Sequence, residues 1–131
     1  MGKYGKAAIL ATKNYYNSNF KDITQAWHTA MLEIFPIQVA SRKKGCPKAA
    51  FLGLCEAGYV SGVPKGEYLK KENSDNKRYA IDAVNLLNNS YDLTTTSPAN
   101  LWKLVMNGES KTPNSQMDVV LSLWKHGLIA N

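Results

Sequence analysis

The segment of residues 41–48, with the sequence SRKKGCPK, combines the residue types best suited to binding chemistry. Four of its residues are cations, none is an acid, and Pro47 is typical of the first turn of a helix. That turn has unpaired N–H groups and partial positive charge, so it disfavours cations and attracts anions. The segment therefore predicts a bound phosphate-like anion, with lysines that only face water as the alternative. The predicted anion-binding residues are Arg42, Lys43, Lys44, Gly45, Cys46 and Lys48.

The basic character extends through the middle of the chain. Between Arg42 and Arg78 there are nine cations and four acids, so this segment carries most of the net charge of +6. Such a concentration favours a phosphate-bearing partner, either a nucleic acid or a free nucleotide. The alternative is a solvated surface that keeps the protein in solution. A helix-turn-helix is not expected, because about ten residues separate the second and third predicted helices, where that motif has three or four.

Cys46 is the candidate nucleophile, because a thiol among cations is the usual setting of a reactive cysteine. Such a nucleophile needs a base, and neither His28 nor His126 has a spacing that ties it to Cys46. A non-enzymatic protein is therefore favoured, with a small hydrolase or transferase using Cys46, Glu56 or Asp118 as the alternative. The sequence has no metal-ligand spacing and no cofactor motif, so we expect neither a metal nor a cofactor.

Helices must position these residues. Apolar residues recur at three- and four-residue spacings, which predicts an all-α, compact bundle of six helices. Asp22 and Ser97 are predicted N-caps, and the third helix is predicted to begin with Pro47 and to end at Gly58. Gly53 inside that apolar helix indicates close approach of a neighbouring backbone or of a ligand. The predicted helices span roughly 4–17, 22–35, 47–58, 74–89, 98–106 and 113–127.

The six helices are predicted to form two similar three-helix halves. A shift of 75 residues places Tyr4 on Tyr79 and Trp27 on Trp102, and it superimposes the two predicted N-caps. The third and sixth helices also match near their ends, where each has a glycine followed by two apolar residues. This pattern predicts one domain over residues 1–131, with half-repeats at about 1–60 and 76–131 and a connector at 61–75.

A ligand cleft is expected between the halves. Asn114, Ser115 and Gln116 open the sixth helix at the position equivalent to the basic segment, so they could donate hydrogen bonds to the same ligand. Helix capping is the other interpretation of these three residues. Six tyrosines could stack on a nucleobase, with a place in the core or at its boundary as the alternative: Tyr15, Tyr16, Tyr59, Tyr68, Tyr79 and Tyr91.

The two cysteines and the hydropathy favour a cytoplasmic protein. Cys46 and Cys55 lie about 13 Å apart along one predicted helix, too far for a disulfide. Free thiols favour a reducing compartment. No apolar run approaches the roughly 18 residues of a membrane span, and no secretory signal is recognised. We therefore expect no membrane partner, and the oligomeric state stays open.

Three segments carry a resemblance to a known family: SRKKGCPK, FLGLCE at residues 51–56 and NSQMDVVL at residues 114–121. Over most of its length the chain resembles a family of small bacterial or phage proteins of unknown function. The resemblance implies a bacterial or phage origin and carries over no activity and no site residues. The residues themselves predict non-enzymatic binding of a phosphate-bearing partner, with the enzyme above or a protein-interaction module with an incidental basic face as alternatives.

Overall fold

The structure is a computed structural model that describes residues 2–17, 20–69, 74–89 and 96–130. Within these ranges the fold is all-α, with six longer helices as predicted and one additional helix of four residues. Lys70 and Lys71, two of the nine cations between Arg42 and Arg78, and the predicted stacking residue Tyr91 lie outside the described residues. The helices are α1 (Gly2–Tyr16), α2 (Ile23–Ile34), α3 (Val39–Arg42), α4 (Gly45–Glu56), α5 (Asp75–Asn89), α6 (Pro98–Met106) and α7 (Gln116–Lys125).

Two N-caps set the beginnings of α2 and α6. The Asp22 carboxylate accepts a hydrogen bond from the Thr24 amide at 2.9 Å, and the Ser97 hydroxyl accepts one from the Asn100 amide at 3.1 Å. Pro98 follows Ser97 as the first residue of α6, where a proline loses no helical hydrogen bond. Both helices therefore begin where their capping residues predict.

The beginning of α4 differs from the prediction. The helix begins at Gly45, with Lys44 as its N-cap, rather than at Pro47. Pro47 is then the third helical residue, and it is tolerated there because amides of the first turn have no intrahelical partner. The short helix α3 also lies in the stretch between α2 and α4 that the sequence predicts as a connection. The basic segment is thus partly helical at both of its ends.

The C-terminal ends of α4 and α7 share one geometry. Gly58 and Gly127 follow these helices with φ angles of +83° and +69°, in the left-handed region that favours glycine. In both cases the next amide donates to the carbonyl five residues earlier at 2.9 Å. Val60 and Ile129 then pair in an isolated antiparallel bridge. The ends of the two predicted halves therefore meet at equivalent positions, while their origin in a duplication stays a prediction.

The third helix of each predicted half packs mainly against the first helix of the other half, since α4 lies on α5 and α7 lies on α1. A Cβ atom added to Gly53 would come within 2.9 Å of Lys77 Cα, so this glycine admits the α5 backbone. At the other contact, a Cβ atom added to Gly5 would come within 2.8 Å of the Asp118 carbonyl oxygen. Small residues thus allow close helix packing at both contacts.

Candidate anion-binding cavity

A cavity of about 470 Å³, here called the α4 cavity, opens beside the first turn of α4. Its walls come from α2, from the first half of α4, from the segment before α5 and from the first turn of α5. A volume of this order is common among pockets that hold small molecules. Its described polar lining consists of Thr24, Cys46, Lys48, Ser74 and Asn76, and its apolar lining includes Leu52, Tyr68 and Leu69.

The structure separates the six predicted anion-binding residues. Gly45, Cys46 and Lys48 line the α4 cavity. The Arg42 guanidinium instead donates a hydrogen bond from Nη1 to the Phe35 carbonyl oxygen at 2.7 Å, so it fixes the connection between α2 and α3.

The two remaining lysines of the basic segment lie at the surface. Lys43 is exposed, and the Lys44 ammonium lies 5.9 Å from the centre of the Tyr4 ring in a cation–π contact. The Tyr4 hydroxyl donates to the Ser41 carbonyl oxygen at 3.0 Å. The basic segment therefore does not form one cluster of cations, and only its C-terminal part faces the cavity.

The first turn of α4 presents amides that no side chain caps. Its N-cap residue, Lys44, makes no capping hydrogen bond through its side chain, and the turn contains no acid. Gly45 is exposed, and a Cβ atom added to it would have no neighbour within 4 Å. Packing therefore does not require a glycine at this position. The open backbone leaves room for a ligand to approach the amides directly.

Lys48 gives the rim of the cavity its positive charge. Its side chain is half-buried on the cavity wall. The pKa of His28, on the neighbouring α2, is lowered by burial first and by the Lys48 charge second. Asp22 acts on His28 in the opposite direction with a smaller effect. The Lys48 charge therefore acts on α2 as well as on the cavity wall.

The start of α5 contributes a second helix N-terminus to the cavity. The Ser74 hydroxyl oxygen accepts a hydrogen bond from the Lys77 amide at 3.4 Å, as an N-cap does. The hydroxyl hydrogen of Ser74 then remains able to donate to a ligand. Asp75 is turned to other partners, since its carboxylate lies 3.5 Å from Arg78 and 3.3 Å from Lys111.

Gln116 connects α7 to the cavity through Asn76. Its Oε1 accepts a hydrogen bond from the Asn114 amide at 2.6 Å, and its Nε2 donates to Asn76 Oδ1 at 3.0 Å. Gln116 is buried, with 3% of its surface exposed, whereas Asn76 lines the cavity. Of the three residues predicted to open the sixth helix as ligand contacts, Gln116 therefore reaches the cavity only through Asn76.

The remaining predicted contacts lie elsewhere. Ser115 lines a separate, smaller cavity of about 210 Å³ together with Asp118. Burial raises the pKa of Asp118, and a hydrogen bond with Ser115 opposes this shift. Tyr79 is buried, and its ring meets that of Trp102 edge-on with the centroids 5.3 Å apart. Tyr79 therefore belongs to the core, the alternative that the sequence left open.

Glu56, a candidate for catalysis, and Cys55, the second cysteine, lie outside the α4 cavity lining. Glu56 forms an ion pair with Lys77 and accepts hydrogen bonds from the amides of Tyr68 and Leu69, so its carboxylate is occupied. Cys55 is fully buried, and burial raises its pKa far above the ordinary thiol value. Cys46 is the only one of the proposed nucleophiles and bases to line the α4 cavity among the described residues.

The described residues contain neither a cluster of metal-ligating side chains nor a membrane-spanning helix. There, no three side chains of His, Cys, Asp or Glu come close enough together to hold a metal ion. Among the same residues, each helix is too short or too polar to cross a bilayer.

Of the cavity residues Thr24, Tyr68, Ser74 and Asn76, only Tyr68 is predicted from the sequence, as one of the tyrosines that could stack on a nucleobase. These four residues lie on three segments that only the tertiary fold brings together. The position of Ser74 at the start of α5 could be predicted, because serine is a common N-cap. The hydrogen bond between Gln116 and Asn76 spans 40 residues, and no local pattern predicts it.

Comparison with known proteins places the chain in a family. Residues 1–130 match a family described as "Family of unknown function (DUF6979)". The chain belongs to DUF6979. No curated protein and no solved structure matches this DUF6979 chain.

Proposed function

We propose that this protein binds a phosphate-bearing small molecule in the α4 cavity and does not catalyse a reaction. One observation carries the proposal: the described polar lining contains an ammonium, hydroxyls, an amide and a thiol, but no carboxylate. Such a lining can donate several hydrogen bonds, and the two carboxylates that act electrostatically on Tyr68, those of Asp22 and Glu56, are not among its described residues. The phosphate would lie at the first turn of α4, held by its free amides and by Lys48.

Of the two predicted partners, the cavity favours a nucleotide over a nucleic acid. A polymer needs cations spread over an accessible surface. In the basic segment only Lys43 and Lys44 are exposed, whereas the Arg42 guanidinium is bonded to a backbone carbonyl and Lys48 is half-buried on a cavity wall. A compact ligand could instead place an apolar, planar part against Leu52, Leu69 and Tyr68. These contacts are what a nucleotide base would require.

A Cys46-dependent hydrolase or transferase is the second candidate, because Cys46 lines the same cavity. A thiol nucleophile needs a base within hydrogen-bond reach. Neither described histidine lines the cavity, and His126 Nδ1 lies 2.9 Å from the Ser122 carbonyl oxygen. If any turnover of a phosphate ester is detected, Cys46→Ala should abolish it under this alternative.

A cytoplasmic location and a bacterial or phage origin belong to the same proposal. The free cysteines support the location, since neither Cys46 nor Cys55 forms a disulfide. A nucleotide-binding protein would also find its ligand in that compartment. The resemblance of the three sequence segments supports the origin.

A thermal-shift experiment tests the proposal. The probes are inorganic phosphate, the four ribonucleoside monophosphates and single-stranded oligonucleotides of increasing length, each at low and moderate salt. The proteins are the wild type, Lys48→Glu and Lys103→Glu, a control with the same charge change at an exposed residue of α6.

We expect the monophosphates to raise the Tm of the wild type and of Lys103→Glu but not that of Lys48→Glu. Stabilisation that grows with oligonucleotide length and falls steeply with salt would point to a nucleic acid instead. The absence of any shift with every phosphate-bearing probe would overturn the proposal.

A further inference from the structure

The amide groups of Gln116 and Asn76 have a defined orientation. The Asn114 backbone N–H can only donate, so the Gln116 atom 2.6 Å from it must be the oxygen. The Gln116 amide nitrogen therefore points at Asn76 and donates to its Oδ1 at 3.0 Å. Because Gln116 is buried, it has no freedom to exchange these two partners with water.

This orientation determines what Asn76 can offer to the cavity. Because Asn76 Oδ1 faces Gln116, the Asn76 amide NH₂ is the end left to meet a ligand, and no described residue accepts its hydrogen bonds. An NH₂ group donates and cannot accept. Beside Asn76, the cavity therefore favours a ligand group that accepts a hydrogen bond over one that donates.

Asn76 lies away from the first turn of α4. Its neighbour Lys77 packs on Gly53, and Gly53 is eight residues, or about 12 Å, along α4 from Gly45. A ligand with its phosphate at Gly45 would thus present its other end to Asn76. In a nucleotide that end is the base, which carries either an oxo acceptor (uracil, guanine) or an amino donor (cytosine, adenine) at C4 of the pyrimidine or C6 of the purine.

Building on the proposed function, we infer that Gln116 acts as a specificity-determining residue of the α4 cavity. Through Asn76 it selects nucleotides with an oxo group over those with an amino group at the same position of the base. The cavity then binds UMP more tightly than CMP, and GMP more tightly than AMP. A mismatched pair would bury two donors against each other, which commonly costs about tenfold or more in affinity.

Isothermal titration calorimetry with the four monophosphates and with inorganic phosphate tests this inference. In Gln116→Glu, the carboxylate accepts from both the Asn114 amide and the Asn76 NH₂, so Asn76 turns its oxygen toward the cavity. We expect the preference for UMP over CMP to fall at least tenfold or to reverse, while the Kd for inorganic phosphate stays within about twofold. Asn88→Asp, at an exposed residue far along α5, controls for the change from amide to acid.

Asn76→Ala keeps the test decisive if the buried carboxylate introduced by Gln116→Glu prevents folding. The alanine variant should bind UMP and CMP with similar affinity and should still bind inorganic phosphate. Unchanged preferences in Asn76→Ala, or a wild type without preference for oxo-bearing bases, would overturn the inference and leave phosphate binding intact. A wild type that binds none of the five probes would overturn the proposed function as well.

Discussion

The Lys77 ammonium lies 2.6 Å from the Glu56 carboxylate and joins the end of α4 to the first turn of α5. The other oxygen of Glu56 accepts hydrogen bonds from the amides of Tyr68 and Leu69, at 2.8 and 2.9 Å. Since Tyr68 and Leu69 line the α4 cavity, one carboxylate holds a wall of the cavity against both helices.

Glu56→Gln should destabilise the protein in a pH-dependent way. Burial raises the pKa of Glu56. The hydrogen bonds from the Leu69 amide, the Lys77 side chain and the Tyr68 amide together lower it by more, so the net shift is downward. Because its pKa is lower in the folded state than the unfolded value of about 4.3, Glu56 stabilises the fold above that pH. The stabilisation is lost as the pH falls through the folded-state pKa.

Urea unfolding at several pH values measures this effect. At pH 7 we expect Glu56→Gln to lower the free energy of unfolding by about 1–3 kcal/mol, with a smaller difference in acid. Glu67→Gln, at an exposed residue of the connecting segment, should have little effect at either pH. A loss of equal size at all pH values would contradict the role assigned to the Glu56 charge.

Gly5→Ala and Gly45→Ala should have opposite consequences. A Cβ atom on Gly5 would overlap with Ser122 and approach the Asp118 carbonyl oxygen, so we expect a loss of about 1–3 kcal/mol or more. A Cβ atom on Gly45 meets nothing, so Gly45→Ala should leave the Tm unchanged or raise it slightly. Gly45→Ala should nevertheless weaken nucleotide binding, measured by calorimetry, because it crowds the amides of α4. Binding equal to wild type would mean that the ligand does not approach Gly45.

Local signals predicted the helices well because caps and periodicity act over a few residues. Asp22 and Ser97 cap α2 and α6 as expected, and Gly58 ends α4. The predicted start of α4 at Pro47 is two residues later than the observed start at Gly45, because proline is tolerated throughout the first turn and does not mark its first residue. The short α3 had no signal, because four residues are too few to show a period.

The candidate site was only partly predictable. Lys48, Gly45 and Cys46 were identified from their place at a helix start, and all three line the cavity. Arg42 belongs to the same basic segment, but its guanidinium donates to the Phe35 carbonyl instead of facing the cavity. The position of that carbonyl depends on how the chain turns between α2 and α3, which the sequence does not predict. Partners such as Gln116 and Asn76 are brought together only by helix packing.

Arg42→Ala should affect stability rather than binding. The Arg42 guanidinium donates to the Phe35 carbonyl, so its removal leaves that oxygen without this partner and loosens the connection between α2 and α3. We expect a loss of about 1–2 kcal/mol in urea unfolding, with the nucleotide Kd unchanged. Lys43→Ala, at an exposed neighbour, should change neither quantity. A large loss of affinity in Arg42→Ala without a loss of stability would assign Arg42 to the ligand.

The two cysteines should differ in reactivity. Cys55 is fully buried with a raised pKa, so it stays protonated and inaccessible, whereas Cys46 is half-buried on the cavity wall. Native protein should therefore release close to one equivalent of chromophore with Ellman's reagent, and Cys46→Ala should release almost none. Saturating UMP should slow the reaction of Cys46 in the wild type. An unchanged rate would mean that UMP does not occupy the cavity beside Cys46.

The most direct test of the central claim is a titration of the ¹⁵N-labelled protein with inorganic phosphate and then with UMP, followed by ¹H–¹⁵N correlation spectra. We predict saturable shifts of the amide signals of Gly45, Cys46 and Lys48 with both ligands. The signals of Ser74 and Asn76 should shift with UMP, while those of α6 stay in place. Shifts confined to the exposed Lys43 and Lys44, or no saturable shift in the α4 cavity, would contradict phosphate binding at this site.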